Sequence, residues 1–156
     1  MIREFTPMDV NQMVDCAERH CQEVGEGIGT FNKPKLIEFI RQLNIKRGYK
    51  MFVAERGTTI KGYVVCSAYV NPWNGVTEGM IHFLYVDPEH RQGFMAKDLF
   101  AAAESYFRSC DCKFFNATTR AYDHQYNANA EYIKQGDAFF SRLMTDCGKN
   151  YIKEVI

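Results

Sequence analysis

At 156 residues and 46% hydrophobic content, the chain has the size of one domain with a sizeable core. Its 19 Lys and Arg balance its 19 Asp and Glu, so a broad electrostatic grip on nucleic acid is not expected, which leaves room only for a local basic patch. No apolar run approaches the ~18 residues of a membrane span, and Met1-Ile2-Arg3-Glu4-Phe5 lacks the apolar core of a signal peptide, so the expected compartment is the cytoplasm.

Residues 2–5 predict a first strand. Thr6-Pro7-Met8-Asp9 reads as a helix start, with Thr6 as N-cap, proline in the first turn and an acid soon after. Val10, Met13, Val14, Ala17 and Cys21 follow at helical spacing. The loop Gly25-Glu26-Gly27-Ile28-Gly29 ends that helix. Pro34 opens a second one, with Leu36, Ile37, Phe39, Ile40 and Leu43 in its apolar pattern. The period then changes. Residues 51–54 and 60–70 predict strands around the turn Arg56-Gly57-Thr58-Thr59, the second rich in β-branched and aromatic residues. Asn71-Pro72-Trp73-Asn74-Gly75 is a dense turn signal, so residues 76–86 return antiparallel.

The next helix spans residues 94–110, with Met95, Leu99, Ala102, Ala103, Tyr106 and Phe107 on one side. Residues 113–118 predict a strand parallel to its predecessor through a right-handed crossover. Residues 125–135 suggest a fourth helix closed by Gly136. Residues 139–147 and 151–155 form a closing hairpin around Gly148-Lys149-Asn150. The sum is α/β: one domain over residues 1–156, a mixed twisted sheet of about seven strands flanked by about four helices.

The junction Leu84-Tyr85-Val86-Asp87-Pro88-Glu89-His90-Arg91-Gln92-Gly93 carries the most chemistry. A buried strand, a short basic loop and a helix start aim free backbone N–H groups and a positive helix end at one point, which suits phosphate. With the element order around it, this stretch resembles the GNAT superfamily of N-acetyltransferases over nearly the whole chain. Val86, Pro88, Arg91 and Ala96 fall on that family's Val-x-Pro-x-x-Arg template and the small position beyond it. The chain also departs from the pattern. Counting from Arg91 puts Phe94 where the first glycine of the pyrophosphate loop is expected, with Gly93 one residue early. Counting from His90 restores Gly93 but puts Met95 in the small position. Either Phe94 turns its side chain into the core and leaves its N–H open, or the loop is degraded.

The resemblance implies acetyl-CoA as cosubstrate. Its pyrophosphate would lie on Arg91, Gln92, Gly93, Phe94, Met95 and Ala96. Its pantetheine arm would slip between two splayed strands and pair with main-chain atoms of Leu84, Tyr85 and Val86, with Asn116 on the opposite strand. It also implies a proton donor to the departing thiolate, at a Tyr four residues before a Gly: Tyr132 and Gly136 stand in that relation, and Tyr126 is a weaker candidate. A phenol of pKa ~10 stays protonated at neutral pH yet can give its proton to a thiolate. The plainer reading is a ring packed on the sheet. An acceptor ammonium must lose a proton before it can attack. By count, His82 takes the place where the family often has a Glu, and Glu78 is the second candidate. Strand alternation sets His82 on the face of Leu84 and Val86, opposite Ile81, Phe83 and Tyr85. Glu78 shares that face unless a bulge intervenes, roughly 13 Å back along the strand. The plainer readings are a hydrogen-bonded histidine and a solvated carboxylate.

Other signals weigh less. The six cysteines, without an export signal, are expected as reduced and mostly buried thiols. Gly25-x-Gly27-x-Gly29 follows a helix, so the dinucleotide-binding context fails. Cys16, His20 and Cys21 sit close on one helix, but no second ligand pair at zinc spacing follows, and no metal is expected. Cys110-Asp111-Cys112 has one spacer where redox motifs have two. Asp123-His124, after Arg120, reads first as an ordinary solvated loop and second as a contact to the acceptor or to the adenine end of the cofactor. Trp73 at a hairpin tip marks a dimer or partner contact or folds back on the sheet. The leading expectation is an acetyl-CoA-dependent N-acetyltransferase acting on a primary amine by direct attack. The alternative is a non-catalytic module on the same fold with weakened acetyl-CoA binding. Neither membrane nor nucleic acid is an expected partner.

Overall fold

A computed structural model describes residues 1–24, 31–117, 130–146 and 151–155. The chain opens with β1 (Ile2–Glu4), a 3-10 turn at Pro7–Asp9 and helix α1 (Val10–Val24). The Asp9 carboxylate accepts from the backbone N–H and the hydroxyl of Thr6 and pairs with Arg3, which ties the helix start to β1. Helix α2 (Lys33–Ile45) starts at Asn32, whose side chain accepts from the Lys35 N–H, and Pro34 sits in its first turn. Then come β2 (Tyr49–Arg56), β3 (Thr59–Val70), β4 (Thr77–Val86), α3 (Met95–Ser109), β5 (Phe114–Ala117), α4 (Ala130–Phe140), β6 (Thr145–Asp146) and β7 (Tyr151–Glu154).

The strands form one mixed sheet in the order β1-β2-β3-β4-β5-β7-β6; the last strand in that order has only two residues. β4 and β5 are parallel and the other pairs are antiparallel. Apolar alternation sends Val64, Cys66, Ile81 and Val86 to one face, where they pack with Leu99, Phe100, Ala103 and Phe107 of α3. Val53, Val65 and Tyr85 go to the other face, with Met13, Val14 and Ala17 of α1 and Ile40 and Leu43 of α2. Gly79 lets α3 close on the sheet: a Cβ there would stand 2.6 Å from the Phe107 ring and 2.7 Å from Phe115 Cβ.

Four expectations are corrected. Gly136 does not close α4, which runs on to Phe140. The last hairpin is correspondingly shorter, because Phe139 and Phe140 are helical and pack their rings against Phe100. Phe39 of α2 is exposed, and Trp73 stands 94% exposed at the β3–β4 turn rather than folding back. The glycine loop at 25–29, Arg120, Asp123, His124, Tyr126 and Cys147 lie outside the described residues. Among the described residues no helix is long and apolar enough to cross a membrane, and no group of three or more His, Cys, Asp or Glu could hold a metal ion.

Candidate active site

The site begins where β4 loses a neighbour. β5 pairs with β4 only from Glu78 to Ile81, so residues 83–86 keep their ladder to β3 but have no strand on their other side among the described residues. A cleft of about 550 Å³ opens there. Its walls include Leu84 and Val86 of β4, Ala96 of α3 and Gly136 and Phe139 of α4.

A second feature shapes the strand at the same point. Val65 pairs with Phe83 and Cys66 with Ile81, so His82 is the extra residue of a β-bulge. The bulge slips the alternation by one. Ile81 therefore shares the α3 face with Leu84, and His82 turns to the α1–α2 face. This overturns the expectation that His82 shares a face with Leu84 and Val86. His82 stays accessible from the cleft while Nε2 lies 2.8 Å from Ser67 Oγ and the ring stacks on Tyr49 at 5.4 Å. His82 is exposed as a residue, and partial desolvation of its imidazole, with Lys46 nearby, holds its pKa below the ordinary 6.5.

Glu78 is no solvated carboxylate. It is 6% exposed, accepts from Tyr69 Oη at 3.2 Å and Asn71 Nδ2 at 2.6 Å, and braces the β3–β4 hairpin away from the cleft. Asn116 pairs with Met80 and Ile152 and also lies off the cleft.

The loop after β4 is held from below. Asp87 is buried and its carboxylate takes Arg19 at 2.9 and 3.1 Å. A 3-10 turn at Pro88–His90 leads to Arg91, whose Nε donates to the Val86 carbonyl at 2.8 Å. The Arg91 guanidinium pairs with Glu23 of α1 and reaches Gln135 of α4 at 3.0 Å. Its charge is thus largely met, which corrects the picture of a freely basic loop. The open backbone remains: the N–H groups of residues 92–97 have no acceptor among the described residues, and α3 starts without a side-chain cap. Phe94 is 75% exposed, so its side chain points to solvent rather than into the core, and its N–H stays open. A Cβ at Gly93 would meet only His90 O at 3.8 Å, so the shifted glycine register imposes no clash on the loop.

The structure brings Leu84, Tyr85, Val86, Arg91, Gln92, Ala96 and His82 to one cleft; Gly93, Phe94 and Met95 border it on the loop and the start of α3. Tyr132 lies in α4, and its side chain is outside the described residues. Sequence reasoning missed three contributors. Glu23 anchors Arg91. Ser67 meets His82. His20 lines the cleft from α1, with Nδ1 2.7 Å from Tyr63 Oη and its ring stacked on Tyr85 at 4.6 Å. Burial, with a smaller push from Arg91, lowers the His20 pKa to about 4. The available signal was its position one turn beyond Cys16, a polar residue continuing an apolar stripe.

A family model described as the acetyltransferase (GNAT) family matches residues 13–136. No curated protein matches the chain. Among solved structures, a tetramutant of the BH1408 protein from Bacillus halodurans is 20% identical with a TM-score of 0.75, covering 96% of this chain and 95% of its own. An aminoglycoside 6'-N-acetyltransferase from Acinetobacter haemolyticus is 16% identical with a TM-score of 0.73, over 96% and 93%. A third, AAC(6')-Iy in complex with the bisubstrate analogue CoA-S-monomethyl-acetylneamine, is 13% identical with a TM-score of 0.72, over 95% and 92%. At such identities these likenesses show the fold.

Proposed function

The chain belongs to the acetyltransferase (GNAT) family, and on that premise we propose that it transfers the acetyl group of acetyl-CoA to a primary amine by direct attack in a ternary complex. One observation carries the reading: β4 parts from β5 after Ile81, beside a run of backbone N–H groups without described acceptors. An extended arm fits the first feature by pairing as an extra strand, and a diphosphate fits the second at a helix start.

Acetyl-CoA would supply the activated thioester. Main-chain atoms of Leu84, Tyr85 and Val86 would orient the arm, and the N–H groups of Gln92, Gly93, Phe94, Met95 and Ala96 would hold the pyrophosphate. His82 would take one proton from the acceptor ammonium and pass it to water. Tyr132, four residues before Gly136 as in the family motif, would protonate the leaving sulfur. It would be reprotonated by the second proton of the nitrogen, so that one C–N bond forms, one C–S bond breaks and one proton is released. Much of the rate would come from holding amine and thioester together. Glu78, already engaged by Tyr69 and Asn71, is left out of this proton path.

Calorimetry with acetyl-CoA, followed by thiol release across a peptide N-terminus, a lysine amide, spermidine and an aminoglycoside, tests the proposal. Binding with thiol release from at least one amine supports it. No binding of acetyl-CoA sinks it. Binding with no release from any amine favours the non-catalytic module.

A further inference from the structure

His82 is held from two directions by residues of two other strands. Tyr49 of β2 pairs with Ser67 of β3, and Ser67 pairs with Met80 of β4, so Tyr49 and Ser67 lie on the face to which the bulge turns the imidazole. Ser67 is 5% exposed and lies 2.8 Å from Nε2, while the Tyr49 ring covers the imidazole at an interplanar angle of 12°. The ring nevertheless lines the cleft.

A neutral imidazole has one N–H and one lone pair, and the bond made by one nitrogen decides the state of the other. Here the bonded nitrogen is Nε2. If Ser67 donated to it, the ring proton would sit on Nδ1, and the ring's one lone pair, on Nε2, would be engaged by the Ser67 hydroxyl and could take a proton only by reversing that bond. If Ser67 accepts from Nε2–H, the lone pair lies on Nδ1. The same bond then survives when Nδ1 gains a proton, because Nε2–H still donates.

We propose that Ser67 is a positioning residue for His82, its hydroxyl oxygen accepting the Nε2–H so that the lone pair stays on Nδ1 for a substrate ammonium. The purpose of this bond rests on the reading of His82 as the base in acetyl transfer; the bond itself does not. The step breaks one N–H bond of the ammonium, forms Nδ1–H, and returns that proton to water through the cleft.

The groups around His82 agree with a neutral resting ring. Lys46, at the end of α2, sits 4.6 Å from the centre of the Tyr49 ring. Along the same cleft stand His20 of α1, Arg91 of the loop and Arg142 after α4. Arg91 is paired with Glu23, and Glu78, on the same face of β4, is bonded to Tyr69 and Asn71. No carboxylate lines the cleft among the described residues, so nothing described there favours an imidazolium.

Long-range 15N NMR of the labelled protein, with His82 assigned from the His82→Gln spectrum, reads the tautomer directly. The expected result is Nε2–H in the unsubstituted protein, a mixture of tautomers in Ser67→Ala, and Nε2–H again in Ser67→Thr. With the panel amine that turns over, Ser67→Ala lowers kcat about fivefold, the worth of one neutral hydrogen bond, moves the acid limb of the pH profile and leaves the KM for acetyl-CoA unchanged. An Nδ1–H tautomer in the unsubstituted protein overturns the inference, and that measurement needs no acceptor. An unchanged tautomer and pH profile in Ser67→Ala overturn it too. Full turnover by His82→Gln removes the base reading separately.

Discussion

The Arg91 guanidinium meets the Glu23 carboxylate with two terminal nitrogens on two oxygens, each 2.5 Å apart, joining the loop after β4 to α1. The pair sits beside the open N–H groups of residues 92–97, so Glu23 offsets the positive charge that a diphosphate would meet. Glu23→Gln is expected to tighten acetyl-CoA binding about two- to fivefold, the scale of one partly exposed ion pair, and to steepen its salt dependence. Arg91→Ala weakens binding. Calorimetry at two ionic strengths checks both signs, and tighter binding by Arg91→Ala would contradict this account.

Phe94 opens α3 with its side chain in solvent. Phe94→Ala should therefore change stability by no more than about 0.5 kcal/mol, as exposed substitutions do, and leave the acetyl-CoA Kd within about twofold. Phe94→Asp should separate two effects. A carboxylate there caps the helix and gains roughly 0.5–1 kcal/mol of stability, yet it competes for the N–H groups and weakens acetyl-CoA binding. Urea melts and calorimetry read the two opposed changes.

His20 supplies a pH dependence of stability. Its folded pKa of about 4 lies below the ordinary 6.5, burial being the main cause. Above pH 6.5 neither state binds the proton. As pH falls below 6.5, the unfolded chain protonates this ring and the folded chain does not. Stability is then lost at up to ~1.4 kcal/mol per pH unit for this one proton, until the folded ring titrates near pH 4. His20→Gln should flatten the stability curve between those limits. An unchanged slope in urea melts from pH 7 to 4 would count against a neutral buried ring.

Gly79 has no room for a side chain between Phe107 and Phe115. Gly79→Ala is expected to cost about 1–3 kcal/mol through overpacking. It should also lower activity by moving β4 against α3. A denaturation midpoint equal to that of the unsubstituted protein would mean that α3 can shift freely.

Cys16 and Cys66 are fully buried thiols whose pKa burial pushes up to about 12 in each case. Neither presents a thiolate nucleophile at neutral pH. Cys16→Ala and Cys66→Ala should keep turnover at equal folded fraction. A folded but inactive Cys66→Ala would point to a covalent acyl-enzyme instead of direct attack.

Much of the fold and part of the site were legible along the chain. β3 and β4 announced themselves by β-branched and aromatic runs around a dense turn, and α1 and α3 by apolar stripes. Residues 84–96 were legible as strand, loop and helix because turn residues and period change coincide there. Ser67 was not, since a serine inside a strand run looks like filler until the residue across the sheet is known. Glu23 and Arg91 are 68 positions apart, and their meeting leaves no local trace.

By itself the sequence determined the order of elements, the α/β class and the place of the loop between β4 and α3, because periodicity and turn chemistry are local properties. Tertiary structure decided the rest. A bulge is a one-residue slip between two strands, so β4 alone cannot reveal that His82 is the extra residue; pairing with β3 and packing under α3 decide it. Likewise Gly136 signals a helix end at a local cost of ~1 kcal/mol, but burying Phe140 against Phe100 outweighs that cost and carries α4 past it.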